Sequence, residues 1–467
     1  MSREIKMIWI AVVAALSVAI VFSFVMTTRN QPQPDYSDLM PVRPVVATED
    51  NAYELFAEAE GCFVAPFNDL LMQDFISGKS FEINQIEALI AQNTNLIAKL
   101  EEGVSRRLYL APEMKDFGGG WTHPHEVFNV AKFLACKASN ERFAGRYSDA
   151  VATCELLLKY GWMRCDHAES MVALHVGYGV LNFGFWQIVE IARDGRVSND
   201  DLLRLSEALA VVGDWDNGLI FSEKSEYLFL TTQISGMSLA EINNSLSLCG
   251  PSLPRIMKKE ITFAYMFDLE ETVAMMADSS RGVISNAPLV YAEVKQFHKS
   301  GGSAMDYSDF KYFFRGNGIG ERVCEDVAGR SDMLLRKKCE MEIKFSALRL
   351  IISLKLYERK HGKLPDKLSI LVPDLIATVP RDPYDGKPFR YAPSKILDFS
   401  FTIPDKSSTS VSLTGIVYFV GNDLIDQGGS TIMTSGRPKS YWRRDGEDIV
   451  YGIDEVIKTE WAKTSFN

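Results

Sequence analysis

The 467-residue chain lacks most of the patterns by which a sequence declares its chemistry. Its six histidines and seven cysteines form no CxxC pair and no zinc-ligand spacing. His123-Pro124-His125-Glu126 comes nearest to a metal helix, but Asn129 stands where HExxH needs its second histidine. That stretch reads instead as a helix start with Glu126 in the first turn. No GxSxG elbow is present, so the common serine-hydrolase arrangement is missing. Gly78-Lys79-Ser80 imitates the end of a phosphate loop, yet Gln73 occupies the first glycine position. Basic residues are in deficit: 50 Lys and Arg against 61 Asp and Glu leave a net charge of −11. A nucleic-acid partner, which needs a basic face, is therefore not expected. Acidic and basic residues nearly balance from Glu340 onward, so the acidic excess lies upstream. An odd cysteine count leaves at least one thiol outside any pairing within the chain. Cys154 with Cys165, and Cys324 with Cys339, are candidate disulfides if the compartment is oxidising; buried small hydrophobes are the alternative.

What is present begins with an uncharged apolar run over 8–26, preceded by Arg3 and Lys6. Its length matches the hydrocarbon thickness of a bilayer, and the preceding charges favour a cytoplasmic N-terminus. The run reads as an uncleaved single-pass anchor in the inner membrane, with the bulk of the chain extracytoplasmic. A cleaved signal with its site near Val21-Phe22-Ser23 is the alternative. Residues 27–48 carry Pro32, Pro34, Pro41 and Pro44 and read as an extended spacer.

Residues 49–330 read as a mostly α-helical domain. Helices are expected over Glu49 to Ala59, over Ile83 to Leu100 with Asn93 near one face, and over Glu126 to Lys137. Ala138, Gly145, Tyr147 and Ala150 fit a helical hairpin, and further helices follow over Ala168 to Arg193 and Phe221 to Leu230. Ser198 is a cap for a helix from Leu202 to Val212. Tyr178, Phe183, Phe185 and Trp186 read as core. Glu223 and Glu226 share a helix face without a Glu-x-x-His partner, and read as solvated surface residues.

The last quarter is the most specific part. A long helix from Ser331 to about Lys360 carries a stripe of Met341, Phe345, Leu348, Ile352 and Leu356, widened by Ile351 and Leu354. Lys344, Arg349, Lys355 and Glu358 exclude it as a membrane span, and Gly362 with Pro365 ends it. Pro380, Pro383, Pro388 and Gly386 then force turns, with Asp382 and Asp385 placed to accept nearby backbone N–H groups. Phe389, Tyr391, Phe399, Phe401 and Ile416 to Val420 follow a strand pattern. Gly421, Asn422, Asp423, Asp426, Gly428 and Gly429 form a polar loop, followed by Asp445, Glu447 and Asp448. Such oxygen-rich, irregular backbone suits Ca²⁺, though not in EF-hand spacing; a solvated turn is the other reading.

The segments HGKLPDKLSIL, PRDPYDGKPFRY, GNDLIDQGG and EDI together resemble the C-terminal domain of the major pseudopilin of type II secretion systems. The resemblance covers roughly the final 110–125 residues. It implies a long helix packed on a short antiparallel sheet, and a Ca²⁺ site in which Asp423 and Asp448 match the family's acidic residues. Asn422, Asp426 and carbonyls near Val420 or Gly421 would complete the oxygen shell. Three departures stand out: Leu424 replaces a family glycine, the insert before Asp448 carries Arg437, Lys439, Arg443 and Arg444, and the pilin-type Phe-Thr-Leu-Ile-Glu start is missing.

The expected architecture is thus α+β: an anchor in 1–26, a linker in 27–48, a helical domain in 49–330 and a pseudopilin-like domain in 331–467. The expected role is structural, an interaction protein contacting another envelope protein, and no catalytic set assembles. The alternatives are an accessory part of a type II secretion or pilus-like system, and an enzyme with its site in the helical domain.

Overall fold

Among the described helices, three begin where a side chain caps them. Ser170 and Ser198 accept the backbone N–H of Ala173 (3.1 Å) and Asp201 (3.0 Å) at two helix starts, and Asp268 accepts that of Glu271 (2.9 Å) at a third. Gly362 ends the longest helix in the left-handed conformation that a side chain would strain (φ 74°). The computed structural model describes residues 35–66, 70–76, 82–114, 124–236, 267–294, 317–402, 408–421, 423–429, 433–434, 437–438 and 448–460. The chain divides into two compact units, Met1–Met40 and Pro41–Asn467. In the first, the described residues contain a short 3₁₀ turn, Ser37–Leu39; the expected anchor over 8–26 lies outside them.

The described helices of the second unit are α1 (Tyr53–Gly61), α2 (Leu71–Ile76), α3 (Ile83–Gln92), α4 (Thr94–Val104), α5 (Pro124–Phe143), α6 (Tyr147–Asp166), α7 (Met171–Arg193), α8 (Asn199–Leu209), α9 (Trp215–Gly236), α10 (Leu269–Asn286) and α11 (Gly318–His361). The strands are β1 (Arg390–Thr402), β2 (Ser408–Phe419), β3 (Met433–Thr434), β4 (Arg437–Pro438) and β5 (Ile449–Glu460). The protein is therefore mixed α and β, mostly helical, with a three-stranded antiparallel sheet near its C-terminus in the order β1-β2-β5. Arg390 pairs with Tyr418 across β1 and β2, and Phe419 with Ile449 across β2 and β5.

One apolar core joins α1–α5 through Phe56, Phe75, Ile86, Leu100 and Phe133. The single helix expected over Ile83 to Leu100 is broken at Asn93. Its buried side chain donates to Leu89 O (2.9 Å) and Val64 O (3.0 Å) and accepts from Val64 N (2.8 Å). An amide that bonds backbone so well competes with the helix ladder, and the helix restarts as α4. The expected hairpin is α5 and α6, turned at Gly145 (φ 73°).

A second core carries α6–α9, α11 and the sheet. At its centre, α7 packs on α5, α6, α9 and α11 and touches β5. Among the described residues α7 alone is long and apolar enough to cross a membrane, and 61% of that stretch is buried in the protein. The long helix α11 begins at Gly318, ahead of the expected Ser331, because its N-terminal part packs on α10. Met341, Phe345, Leu348, Ile351, Ile352 and Leu354 are all fully buried. They face α7 and α8 as well as β2 and β5, so the stripe seals helices and sheet together. Phe345 meets Trp215 (5.5 Å between centroids) and Phe185 meets Tyr451 (5.5 Å), bridging helices to sheet. Charges in this helix are hydrogen-bonded: Arg349 donates to Leu209 O and Val212 O (2.7 Å each) after α8, and Lys344 donates to Asn182 Oδ1 (2.8 Å) and pairs with Glu340. Residue 331 thus lies within a single helix that continues to His361.

The candidate disulfides do not form among the described cysteines. Cys154 and Cys165 are both on α6, eleven residues apart or about 16 Å along the axis. Cys324 and Cys339 are both on α11 and further apart still. A disulfide needs Cα atoms within about 7 Å. Cys154, Cys165 and Cys339 are instead buried thiols whose ionisation burial suppresses.

Candidate functional site

Among the described residues, charge gathers on α11, where Lys337, Lys338 and Lys344 pair with Glu340, Glu342 and Asp216, and at two places away from it. The first is built by the turn after α11. Pro380 and Pro383 cannot donate hydrogen bonds, and the chain folds back so that Phe389 N donates to Pro380 O (3.0 Å) and Gly386 N to Asp382 O (2.8 Å). Asp382 is 0% exposed. Its Oδ1 accepts from Tyr384 N (2.9 Å), and its Oδ2 accepts from Val420 N (2.9 Å) and Arg390 Nη1 (3.0 Å). Asp385 Oδ1 accepts from Lys387 N (3.0 Å), as expected of a turn carboxylate.

Arg390, the first residue of β1, gathers these groups. Its Nη2 donates to Asp385 Oδ2 (2.6 Å) and its Nε to Asp426 Oδ2 (2.8 Å). One guanidinium therefore joins three carboxylates, a geometry its planar fork suits better than an ammonium. Burial pushes the Asp382 carboxyl up to about 6, against the Tyr384 and Val420 N–H bonds. Burial also works to raise Asp385 and Asp426, but the N–H bonds from Lys387 and Gly428 and the Arg390 guanidinium outweigh it and hold both below the usual range.

The loop 421–429 lies against this hub. Asp423 Oδ1 accepts from Ile425 N (3.0 Å) and its Oδ2 from Gln427 Nε2 (3.1 Å). Asp448 Oδ2 accepts from Gly429 N (2.6 Å), and the Gln427 backbone N–H also favours its charged form. Gly429 has φ 73°, and an added Cβ would lie 2.6 Å from Ile416 Cδ1, so only glycine lets the loop close on β2. Asp448 is 0% exposed, burial raises its carboxyl, and its Oδ1 has no hydrogen-bond partner.

The structure places Asp423 and Asp426 in this loop and Asp448 against it, just ahead of β5. Asp426 is committed to Arg390, and Asn422 lies outside the described residues, as do Arg443 and Arg444. Among the described residues no group of three or more His, Cys, Asp or Glu is arranged to hold a metal. A Ca²⁺ ion here would rest on the orphan Oδ1 of Asp448, on Asp423 and on backbone carbonyls. Arg390, which pairs with Asp426, was not among the residues that the sequence singled out. The available signal was an arginine opening a strand directly after the Asp-x-x-Asp turn. Leu424, where the resemblance implies glycine, keeps a glycine-like backbone with φ 61°.

The second place is in the helices. Glu223 and Glu226 on α9 are buried, 1% and 7% exposed, which corrects their reading as solvated residues. Glu226 Oε2 accepts from Met171 N (3.2 Å), so its charge caps the positive end of α7. Glu223 Oε1 accepts from Ser280 Oγ on α10 (2.7 Å), and its Oε2 has no partner. Burial lifts its carboxyl to about 7, the Ser280 bond opposing and Glu226 adding to the rise. Close by, a cavity of about 230 Å³ is lined by Arg43, Glu113, Met114, Glu169, Ser225 and Phe229, among others. Buried Arg164 forms an ion pair with Glu60 and lies 4.9 Å over the rings of Tyr109 and Tyr160. His125, from the one metal-like cluster, is placed beside Asn129 (3.2 Å) on the first turn of α5.

No protein-family model, no curated protein and no solved structure matches the chain.

Proposed function

We propose that this chain is a structural interaction protein of the cell envelope rather than an enzyme. In this reading residues 8–26 hold it in the inner membrane, and the bulk of the chain is extracytoplasmic. Its C-terminal part is a pseudopilin-like module that docks another envelope protein, as in the accessory parts of a secretion or pilus-like machine. The observation that carries the reading is the loop 421–429. Asp423, Asp426 and Asp448 each use one oxygen to fix its backbone, while Leu424 and Ile425 are left 41% and 58% exposed. Leu424 does this in a left-handed conformation that costs about 1–2 kcal/mol for a residue with a Cβ. A rigid loop presenting apolar side chains at such a cost is suited to contact.

The test is site-specific photocrosslinking of the full chain in cells. A photoreactive residue at Leu424 or Ile425 gives a discrete adduct that is absent when the same residue replaces Val172, an exposed position on α7. Equal labelling at the three sites, or none, overturns the docking reading.

A second reading, calcium at this loop, is favoured by the orphan Oδ1 of Asp448. Asp423 and Asp448 would hold the ion, and the ion would staple the loop to the start of β5. Calorimetric titration of the full chain distinguishes the two: heat with Ca²⁺ but not Mg²⁺, lost in Asp448→Asn, supports the ion. No heat leaves Arg390 and Lys395 as the cations that contact the loop among the described residues.

A further inference from the structure

The stretch 41–47 reads from its prolines as part of a spacer, yet the structure holds it in one shape against the second unit. Pro41 and Pro44 fix their own φ near about −65°, and each confines the residue before it, Met40 and Arg43, to extended backbone. Met40 (φ −75°, ψ 129°) and Ala47 (φ −70°, ψ 151°), at the two ends, have the angles of a polyproline II helix. Such a helix repeats every three residues, so Arg43 and Val46 share one ridge and Val42 and Val45 another. The first ridge faces the protein. Arg43 Nη2 donates to Ala111 O, Arg43 and Pro41 line the cavity beside α9, and Val46 is half-buried.

The second ridge faces solvent. Val42 is 86% and Val45 98% exposed, more than any other large apolar side chain among the described residues. One exposed valine is ordinary. Two on one ridge, about 9 Å apart along the axis and each directly after a proline, form the repeated apolar step that polyproline II ligands present. Grooves lined by aromatic rings recognise that step, and the ordering entropy of the segment is already met before contact. This chain does not offer such a groove to a second copy: among the described residues Phe143 is the one aromatic side chain classed as exposed. Glu49 and Asp50, both exposed, follow the strap and call for basic residues on the rim of whatever receives it. The same two charges oppose an anionic lipid surface.

We propose that the strap 41–47 is a recognition segment for another protein, one that carries an aromatic-lined groove with a basic rim. Val42 and Val45 are the anchors that enter the groove, and Arg43 holds the opposite ridge on the body of the fold. This contact does not depend on the loop 421–429.

The experiment is photocrosslinking of the full chain in cells, with a photoreactive residue at Val42 or at Val45, followed by sequencing of the crosslinked peptides. Both positions are expected to join the same protein, next to Trp, Tyr or Phe residues of one groove. Leu203, an exposed position on α8, is the control and is expected to give no such adduct. Val45→Asp is expected to reduce the Val42 adduct by about tenfold. Its side chain stands in solvent, so the melting temperature should not change. Replacing Pro41 and Pro44 by Ala frees the strap before contact and is expected to reduce the adduct by about two- to fivefold for each proline. The proposal is overturned if labelling at Val42 and Val45 does not exceed that at Leu203, or if the adduct is to lipid or to a second copy of the chain. It is equally overturned if the partner is joined away from aromatic residues, or if Val45→Asp leaves the adduct undiminished.

Discussion

Glu223 makes the stability of this protein depend on pH in an unusual direction. Its carboxyl is 1% exposed and lifted by burial to about 7, from an ordinary value near 4.5. The folded state therefore holds a proton that the unfolded state releases between about pH 4.5 and 7. The stability associated with the neutral carboxyl is fully present below pH 4.5 and is lost as pH rises through 7. A displacement of about two and a half units at 1.36 kcal/mol each amounts to about 3 kcal/mol at pH 8. Glu223→Gln replaces the carboxyl by a neutral group of the same shape that still accepts from Ser280 Oγ. Urea unfolding should show the variant equal to the parent near pH 4.5 and more stable at pH 8, by up to about 3 kcal/mol. Its pH profile should also flatten between those values. If the variant is no more stable than the parent at pH 8, the buried carboxyl is solvated in a way the structure does not contain and the reasoning fails.

Arg390→Met leaves the fully buried Asp382 without its counter-charge, and is expected to cost about 3–5 kcal/mol in thermal or urea unfolding; a loss under about 1 kcal/mol would mean the hub is decorative. Leu424→Gly should stabilise the fold by up to about 1–2 kcal/mol while removing the crosslink from its own loop, and destabilisation would refute the strain assigned to φ 61°. Leu348→Ala should cost about 2–5 kcal/mol, given that the side chain is fully buried between helices and sheet. A chain starting at residue 331 should show no single sharp unfolding transition, because α7 and α8, which cover α11, are missing; a sharp one would make 331–467 a self-sufficient domain.

Where local chemistry decided the structure, the sequence was readable. The Gly362 stop, the Ser198 cap and the Gly145 hairpin each depend on residues within a few positions, and the apolar stripe of α11 follows from spacing alone. The same stripe did not say what it would touch. Met341 to Leu356 reads equally well as a helix on a sheet and as a helix buried on all sides. Nor could spacing tell that Asn93 would turn its amide onto Val64, twenty-nine residues upstream, and break a helix. Glu223 and Glu226 looked solvated because a carboxylate on a helix usually is. Only α7 and α10 closing over that face made them interior. At the C-terminal loop the three aspartates were legible by type. The partner of Asp426 was not, because Arg390 reaches it only once β1 is aligned along β2.

The burial of α7 has a consequence for the order in which the protein is made. Its 23 apolar-rich residues leave the ribosome with α5 and α6 already present, but α11 begins only at Gly318. Adding the intervening 125 residues (318 − 193) takes roughly six to twenty-five seconds at ordinary synthesis rates. Throughout that interval Phe345, which meets Phe185 of α7 in the finished fold, has not been made. A segment of that length and composition, left open, is competent to lodge in a bilayer or to stick to another nascent chain. The finished fold is therefore reached in competition with those fates, and mutations that slow the arrival of α11 should lower yield well before they lower the stability of protein already folded.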